Sequence, residues 1–154
     1  MAAIYERDYV KALDYVDSWE VDDEGRLDRY TYKESMYGVT HRMAGQSDLA
    51  DRNFRAVSVL IEAAIENVEK KPPVAVPEEH FIHLIRLAEA YAGLGRAEEA
   101  SVLANKAIEM VPLTKHAVWG AVIRQEAIRQ VFVVAGDYDA VIAHLETYLA
   151  TPGM

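Results

Sequence analysis

The amino-acid sequence predicts an all-α fold of stacked antiparallel helical hairpins, about seven helices in all, and three observations carry that prediction. The first is Leu84-x-x-Leu87-Ala88-x-x-Tyr91, followed by Gly95, then Ala100-x-x-x-Ala104-x-x-Ala107 and Pro112. Large apolar residues recur there at helical spacing, and small residues stand where two helix backbones must approach closely. The second is a set of three glycines, Gly45, Gly95 and Gly136, each closing an apolar-periodic run just before helical spacing restarts. That is where a helix-ending left-handed residue belongs. The third is that nothing in the chain reads as a strand pair.

Taken in order, Ile4 to Trp19 carries Tyr9, Ala12, Leu13, Val16 and Trp19 at helical spacing and reads as an unpaired helix over 3–19, the second half of a hairpin. The run Glu20-Val21-Asp22-Asp23-Glu24-Gly25 breaks the periodicity and reads as a loop. A helix over 26–44 and a long one over 47–71 follow; in the latter Phe54, Val57, Leu60, Ile61, Ala64, Ile65 and Val68 repeat at three-to-four spacing. Pro72-Pro73-Val74-Ala75-Val76-Pro77 cannot continue a helix and reads as a stiff spacer. Pro77 with Glu78 and Glu79 suits a helix start, with φ fixed in the first turn and negative charge at the positive dipole end. The remaining helices are expected at 77–94, 97–110, 115–135 and 138–150. The whole of 1–154 is expected to be one domain, with hairpins over about 26–71, 77–110 and 115–150.

Bulk composition narrows the function classes. Sixteen basic residues against 25 acidic give a net charge of -9, which opposes attraction to phosphate backbones, so no nucleic-acid partner is expected. Residues 1–28 hold nine Asp and Glu against Arg7, Lys11 and Arg26, a pattern read as a solvated helix face with an acidic loop. Without cysteine there is no disulfide scaffold, thiolate metal site or Cys nucleophile. No segment reaches the roughly 20 apolar residues that span a bilayer, so this segment is expected not to insert in a membrane and to be cytoplasmic.

The motif around Tyr91 and Gly95 resembles the tetratricopeptide repeat, in which such hairpins pile into a superhelix. The match at 136–145, GDYDAVIAHL, is weaker, because Val141 and Tyr148 stand where that repeat has small residues. At the front, Tyr37-Gly38-x-x-His41 with Ala50-x-x-x-Phe54 is a degenerate unit, with His41 at an aromatic position. The glycines are spaced by 50 and 41 residues, whereas the regular repeat is about 34. Residues 5–153 further resemble the C-terminal tetratricopeptide region of multidomain bacterial regulators that carry adenylyl cyclase, protein kinase or winged-helix domains, often with a TolB-like segment. The resemblance rests on YERDYVKALDYVDSW at 5–19, LAEAYAGLGRAEEA at 87–100, AIEMVPLTKHAVWG at 107–120 and AGDYDAVIAHLETYLATPG at 135–153. It implies a non-catalytic scaffolding or sensory module. The family's preceding effector domain and its Leu- and Trp-containing tail are not among these residues, so either an excised region or a stand-alone relative is expected.

Residues that could do chemistry do not form a pattern. His80 and His83 stand three apart with Glu79 beside them, but no third convergent ligand is evident and zinc needs three or four, so no metal and no cofactor is expected. His41 reads as a satisfied core or boundary residue, and His116 and His144 complete the five histidines. Ser18, Ser35, Ser47, Ser58 and Ser101 lack a nucleophile elbow, and Gly93-Leu94-Gly95 ends a helix where a phosphate cradle would have to begin one. Glu98-Glu99 suits a helix first turn. No catalytic residue is assigned and the chain is expected not to be an enzyme.

A binding groove is predicted instead on the first helices of the hairpins, formed by Tyr32, Ser35, Val39 and Arg42; Ile82, Ile85, Arg86 and Glu89; and Ile123, Glu126 and Gln130. Ile82 and Ile85 form a second apolar stripe, which must pack against a neighbouring repeat or a partner. A groove that captures a peptide C-terminus needs clustered Lys, Arg and Asn. Arg42 and Arg86 beside Glu89 and Glu126 do not supply that cluster, so an apolar or mildly basic ligand is expected. The partner is expected to be a protein or peptide, including a second copy of the chain; the alternative is a helical sensor that binds a small signal molecule for an attached effector.

Overall fold

The computed structural model describes residues 8–19, 27–70, 77–115 and 117–150, and among these every regular element is a helix. They are α1 (Tyr9–Asp17), α2 (Leu27–Met43), α3 (Ser47–Glu69), α4 (Pro77–Gly93), α5 (Ala97–Met110), α6 and α7 (Tyr138–Ala150). Helix α6 runs Ala117–Glu126, widens into a π-helical stretch over Ala127–Phe132 and ends with Val133–Ala135. The chain is therefore all-α. The expected acidic loop at 20–25, the proline spacer at 72–76 and His116 lie outside the described residues. Contacts gather the chain into two compact units, Met1–Leu60 and Ile61–Met154.

Three chain reversals use one device. Gly45, Gly95 and Gly136 have φ of 77°, 76° and 75°. Each glycine N–H donates to the carbonyl three residues back (Gly45 to Arg42, Gly95 to Ala92, Gly136 to Val133; 3.1, 3.1 and 3.2 Å). The next N–H reaches five residues back (Gln46 to His41, Arg96 to Tyr91, Asp137 to Phe132; 2.8, 2.9 and 2.9 Å). These pairs satisfy carbonyls orphaned at a helix end, and they require a left-handed residue, which a Cβ would strain.

In the first unit, the part of the expected helix at 3–7 lies outside the described residues, and α1 starts at Tyr9, where Asp8 Oδ1 accepts the Lys11 N–H at 3.1 Å. It is not unpaired. Ala12 and Val16 bury against Met36 of α2, Trp19 stacks on Tyr32 at 5.5 Å, and Lys33 Nζ donates to the carbonyls of Asp17 and Trp19 at 3.2 and 2.9 Å. Helix α2 then meets the front of α3 at Gly38, whose missing side chain makes room for the buried Phe54 ring; an added Cβ would lie 2.8 Å from it. Asn53 Nδ2 donating to Glu34 at 2.7 Å and Arg42 paired with Asp51 at 2.6 Å hold the same hairpin.

The second unit is built on the α4–α5 hairpin. Phe81, Leu84, Leu87, Ala88 and Tyr91 are buried on α4, and Ala100, Ala104 and Ala107 are wholly buried on α5, so the small residues do permit close backbone approach. The rear of α3 joins through Ile61 and a hydrogen bond from Tyr91 Oη to Glu62 at 2.8 Å, while the Arg96 guanidinium lies 3.5 Å over the Tyr91 ring. Helix α6 enters over the 111–113 connector, where a Cβ on Gly120 would lie 2.7 Å from the Val111 carbonyl oxygen.

Candidate functional site

Within the first unit, the predicted groove residues differ in exposure and partners, and the buried Ser35 Oγ has no hydrogen-bond partner among the described residues. Tyr32 is half-buried under Trp19, Ser35 is wholly buried, Val39 is half-buried, and exposed Arg42 pairs with Asp51. His41 sits at the boundary, its Nδ1 2.6 Å from Gln46 Oε1.

Within the second unit, Ile85 and Ile123 are buried and Ile82 half-buried, so most of the second apolar stripe packs against the unit itself. Arg86 donates to Glu89 at 3.0 Å, and Glu126 accepts from Arg129 at 3.0 Å and from Gln130 at 2.6 Å. Glu89 is only 5% exposed. Burial pushes its carboxyl above the usual carboxylate range; the Arg86 charge and hydrogen bond oppose that, and the nearby Glu126 adds to it. The structure thus brings Arg86, Glu89, Glu126 and Gln130 into one polar cluster, much of it covered. His83 is buried and His80 lies 4.0 Å from Glu69. Among the described residues no group of three or more His, Asp or Glu could hold a metal.

Two features that sequence reasoning missed lie at the α6–α7 hairpin. Helix α7 contains no buried residue. Asp137 caps it, Oδ1 accepting the Ala140 N–H at 3.1 Å while Oδ2 accepts from Ser101 of α5 at 3.0 Å. His144 stacks on Phe132 at 5.1 Å, yet Tyr138, Ile142, Leu145 and Leu149 are 63%, 55%, 44% and 83% exposed. Spaced four, three and four apart, they form one apolar stripe along the helix. Exposed Asp139 and Glu146, seven residues apart, lie along one edge of it.

The second feature is a cleft of about 340 Å³ between α6 and α7, lined by Arg124, Gln125, Ile128, Arg129, Leu145 and Tyr148. Tyr148, a large residue where closely packed helix pairs carry a small one, lines it. Arg124 is 7% exposed. It falls on the same helical face as buried Ile123, Ala127 and Val131, which is the one trace in the sequence that could have pointed to it. Its Nε is buried with no hydrogen-bond partner, and among the described residues no carboxylate pairs with it. Burial lowers its affinity for the proton. Arg124 Nη1 contacts His144 Nδ1 at 3.4 Å, and His144 Nε2 lies 3.1 Å from Asn105 Oδ1. Because guanidinium only donates, Nδ1 accepts and Nε2–H donates to Asn105, which fixes the neutral tautomer. Burial first, then the Arg124 charge, depress the His144 pKa, with Asp137 opposing.

In comparisons with known proteins, no family model, curated protein or solved structure matches the chain.

Proposed function

We propose that the chain is a non-catalytic, tetratricopeptide-like protein-interaction module whose docking face is the outer surface of α7. The observation that carries this reading is the exposed stripe of Tyr138, Ile142, Leu145 and Leu149. Burying one such side chain is worth about 1.5–3 kcal/mol, so four together offset much of the cost of association. The occupant is an amphipathic helix of another protein with basic residues beside its apolar face, laid along α7. Charge supports a foreign partner over a second copy. Asp139 and Glu146 edge the stripe on a chain of net charge -9, and an antiparallel copy would set these carboxylates against each other. The lack of any helix long and apolar enough to cross a membrane among the described residues is compatible with this role.

Selection from a random peptide library on the immobilised protein tests the proposal. Enriched peptides should read as helices with leucine-like residues at three-to-four spacing flanked by Lys and Arg, and they should be lost on an Ile142→Glu, Leu149→Glu variant. Equal enrichment on that variant, a preference for acidic flanks, or a wild-type protein that dimerises through the stripe in light scattering would overturn it.

A further inference from the structure

The α6–α7 cleft contains a buried cation that no carboxylate among the described residues pairs with, and His144 and Asn105 stand behind it. Leaving a charge uncompensated in a covered site is costly, and replacing a buried charge by a packed apolar side chain is commonly neutral or stabilising. Arg124 is nevertheless there, aligned by His144, which Asn105 holds in turn. Its neighbour Arg129 is already engaged by Glu126 at 3.0 Å, so among the described residues the cleft cation without a carboxylate partner is Arg124. Ile128, Leu145 and Tyr148 line the same cleft and give it apolar surface. A π-helical stretch inside an α-helix frequently marks a functional site, and this one supplies Ile128 and Arg129 to the cleft.

We infer that this cleft binds a small monocarboxylic acid with an apolar body, its carboxylate received by the Arg124 guanidinium and its hydrocarbon or ring lying against Ile128, Leu145 and Tyr148. A guanidinium fork matches a carboxylate in two parallel hydrogen bonds, and one apolar pocket with a few convergent polar groups is the general form of a small-molecule site. The volume, about 340 Å³ against about 30 Å³ per water, admits on the order of ten non-hydrogen atoms. That suits a medium-chain or aromatic acid and is too small for a peptide of several residues. The site is separate from the docking stripe, apart from Leu145, whose side chain borders both.

The test titrates hexanoate, benzoate, hexanamide and inorganic phosphate into the protein by calorimetry, with ¹H–¹⁵N spectra to locate the response. One of the two acids should bind with Kd near about 1 mM or tighter, shifting residues 124, 128, 145 and 148. Hexanamide and phosphate should bind at least about tenfold more weakly, because one lacks the charge and the other the apolar body. Arg124→Met should lose acid binding by at least about tenfold while remaining folded, and Lys70→Gln, which removes an exposed charge away from the cleft, should stay within about threefold of wild type. The amide comparison needs no variant, so it decides the matter even if Arg124→Met misfolds. Absence of binding by both acids, amide binding equal to acid binding, phosphate binding as tight as hexanoate, or unchanged affinity in folded Arg124→Met would overturn the inference. So would a pentapeptide that binds as tightly as hexanoate and is lost on C-terminal amidation. Ile142→Glu, Leu149→Glu should leave acid binding intact, so failure of the docking proposal and failure of this one are distinguishable.

Discussion

Gly120→Ala is expected to destabilise the second unit although it places a better helix former inside a helix. Ala exceeds Gly in a helix interior by about 1 kcal/mol, so the intrinsic effect is favourable. Against it, the new Cβ would lie 2.7 Å from the Val111 carbonyl oxygen and 3.2 Å from the Leu113 Cα and amide nitrogen. All three atoms are backbone, and Val111 and Leu113 are themselves buried, so relief requires moving the connector and not a side-chain tip. The connector is tied by Val111 N–H to the Ile108 carbonyl at 3.3 Å and by Lys115 N–H to the Pro112 carbonyl at 3.0 Å. Overpacking of this kind costs about 1–3 kcal/mol, and an obstruction made of backbone belongs at the upper end, leaving a net loss of about 1–2 kcal/mol. Urea unfolding followed by circular dichroism at the helix band should show a lower midpoint with an unchanged slope. A variant as stable as wild type, or more stable, would refute the claim that α6 and the 111–113 connector are in backbone contact.

Three further outcomes follow from the same coordinates. His144 prefers its neutral form in the fold, so the unfolded chain binds more protons between its ordinary pKa of 6.5 and its lower folded value; stability should fall as pH drops through that window, and His144→Gln should flatten the slope in pH-dependent melts. Glu89 has the opposite sign: the folded state holds its proton above the ordinary value of 4.5, so this group's contribution is lost as pH rises through the folded pKa, and Glu89→Gln should gain on wild type between mildly acidic and neutral pH. Gly95→Ala, with open space around the new Cβ but φ of 76°, should cost about 1 kcal/mol, and Gly95→Asn less, by thermal melting.

Most helix limits were legible because two signals coincide at each reversal. A left-handed glycine ends a periodic run, and only backbone bonds are then needed to close the turn, so Gly45, Gly95 and Gly136 marked the junctions α2–α3, α4–α5 and α6–α7, while Pro72, Pro73, Pro77 and Pro112 marked α3–α4 and α5–α6. Partners were harder. The pairing of α1 with α2 depends on Trp19 meeting Tyr32 across a long stretch of chain, which no local period records. The predicted groove was read from phase alone, and phase does not distinguish an inward polar residue from an outward one: Ser35 and Glu89 are covered, whereas Arg42 is not. The cleft was invisible for a related reason. An arginine on the apolar face of α6 reads as an interruption in a hydrophobic pattern, and its meaning emerges only from its burial without a carboxylate partner among the described residues and from Tyr148 on a different helix.

The widened stretch at 127–132 has a genealogical consequence. A π turn holds one residue more than the α turn it replaces, and each residue of an α-helix advances about 100°. Excising a single residue there would let it close as an ordinary α turn, leaving the helix beyond in place while re-aiming the side chains of the stretch itself, Ile128 and Arg129 among them, relative to Arg124. The cleft could therefore be gained or lost by inserting or deleting one codon, and lineages that carry it should differ from those that lack it by a one-residue gap in this stretch more than by any point substitution.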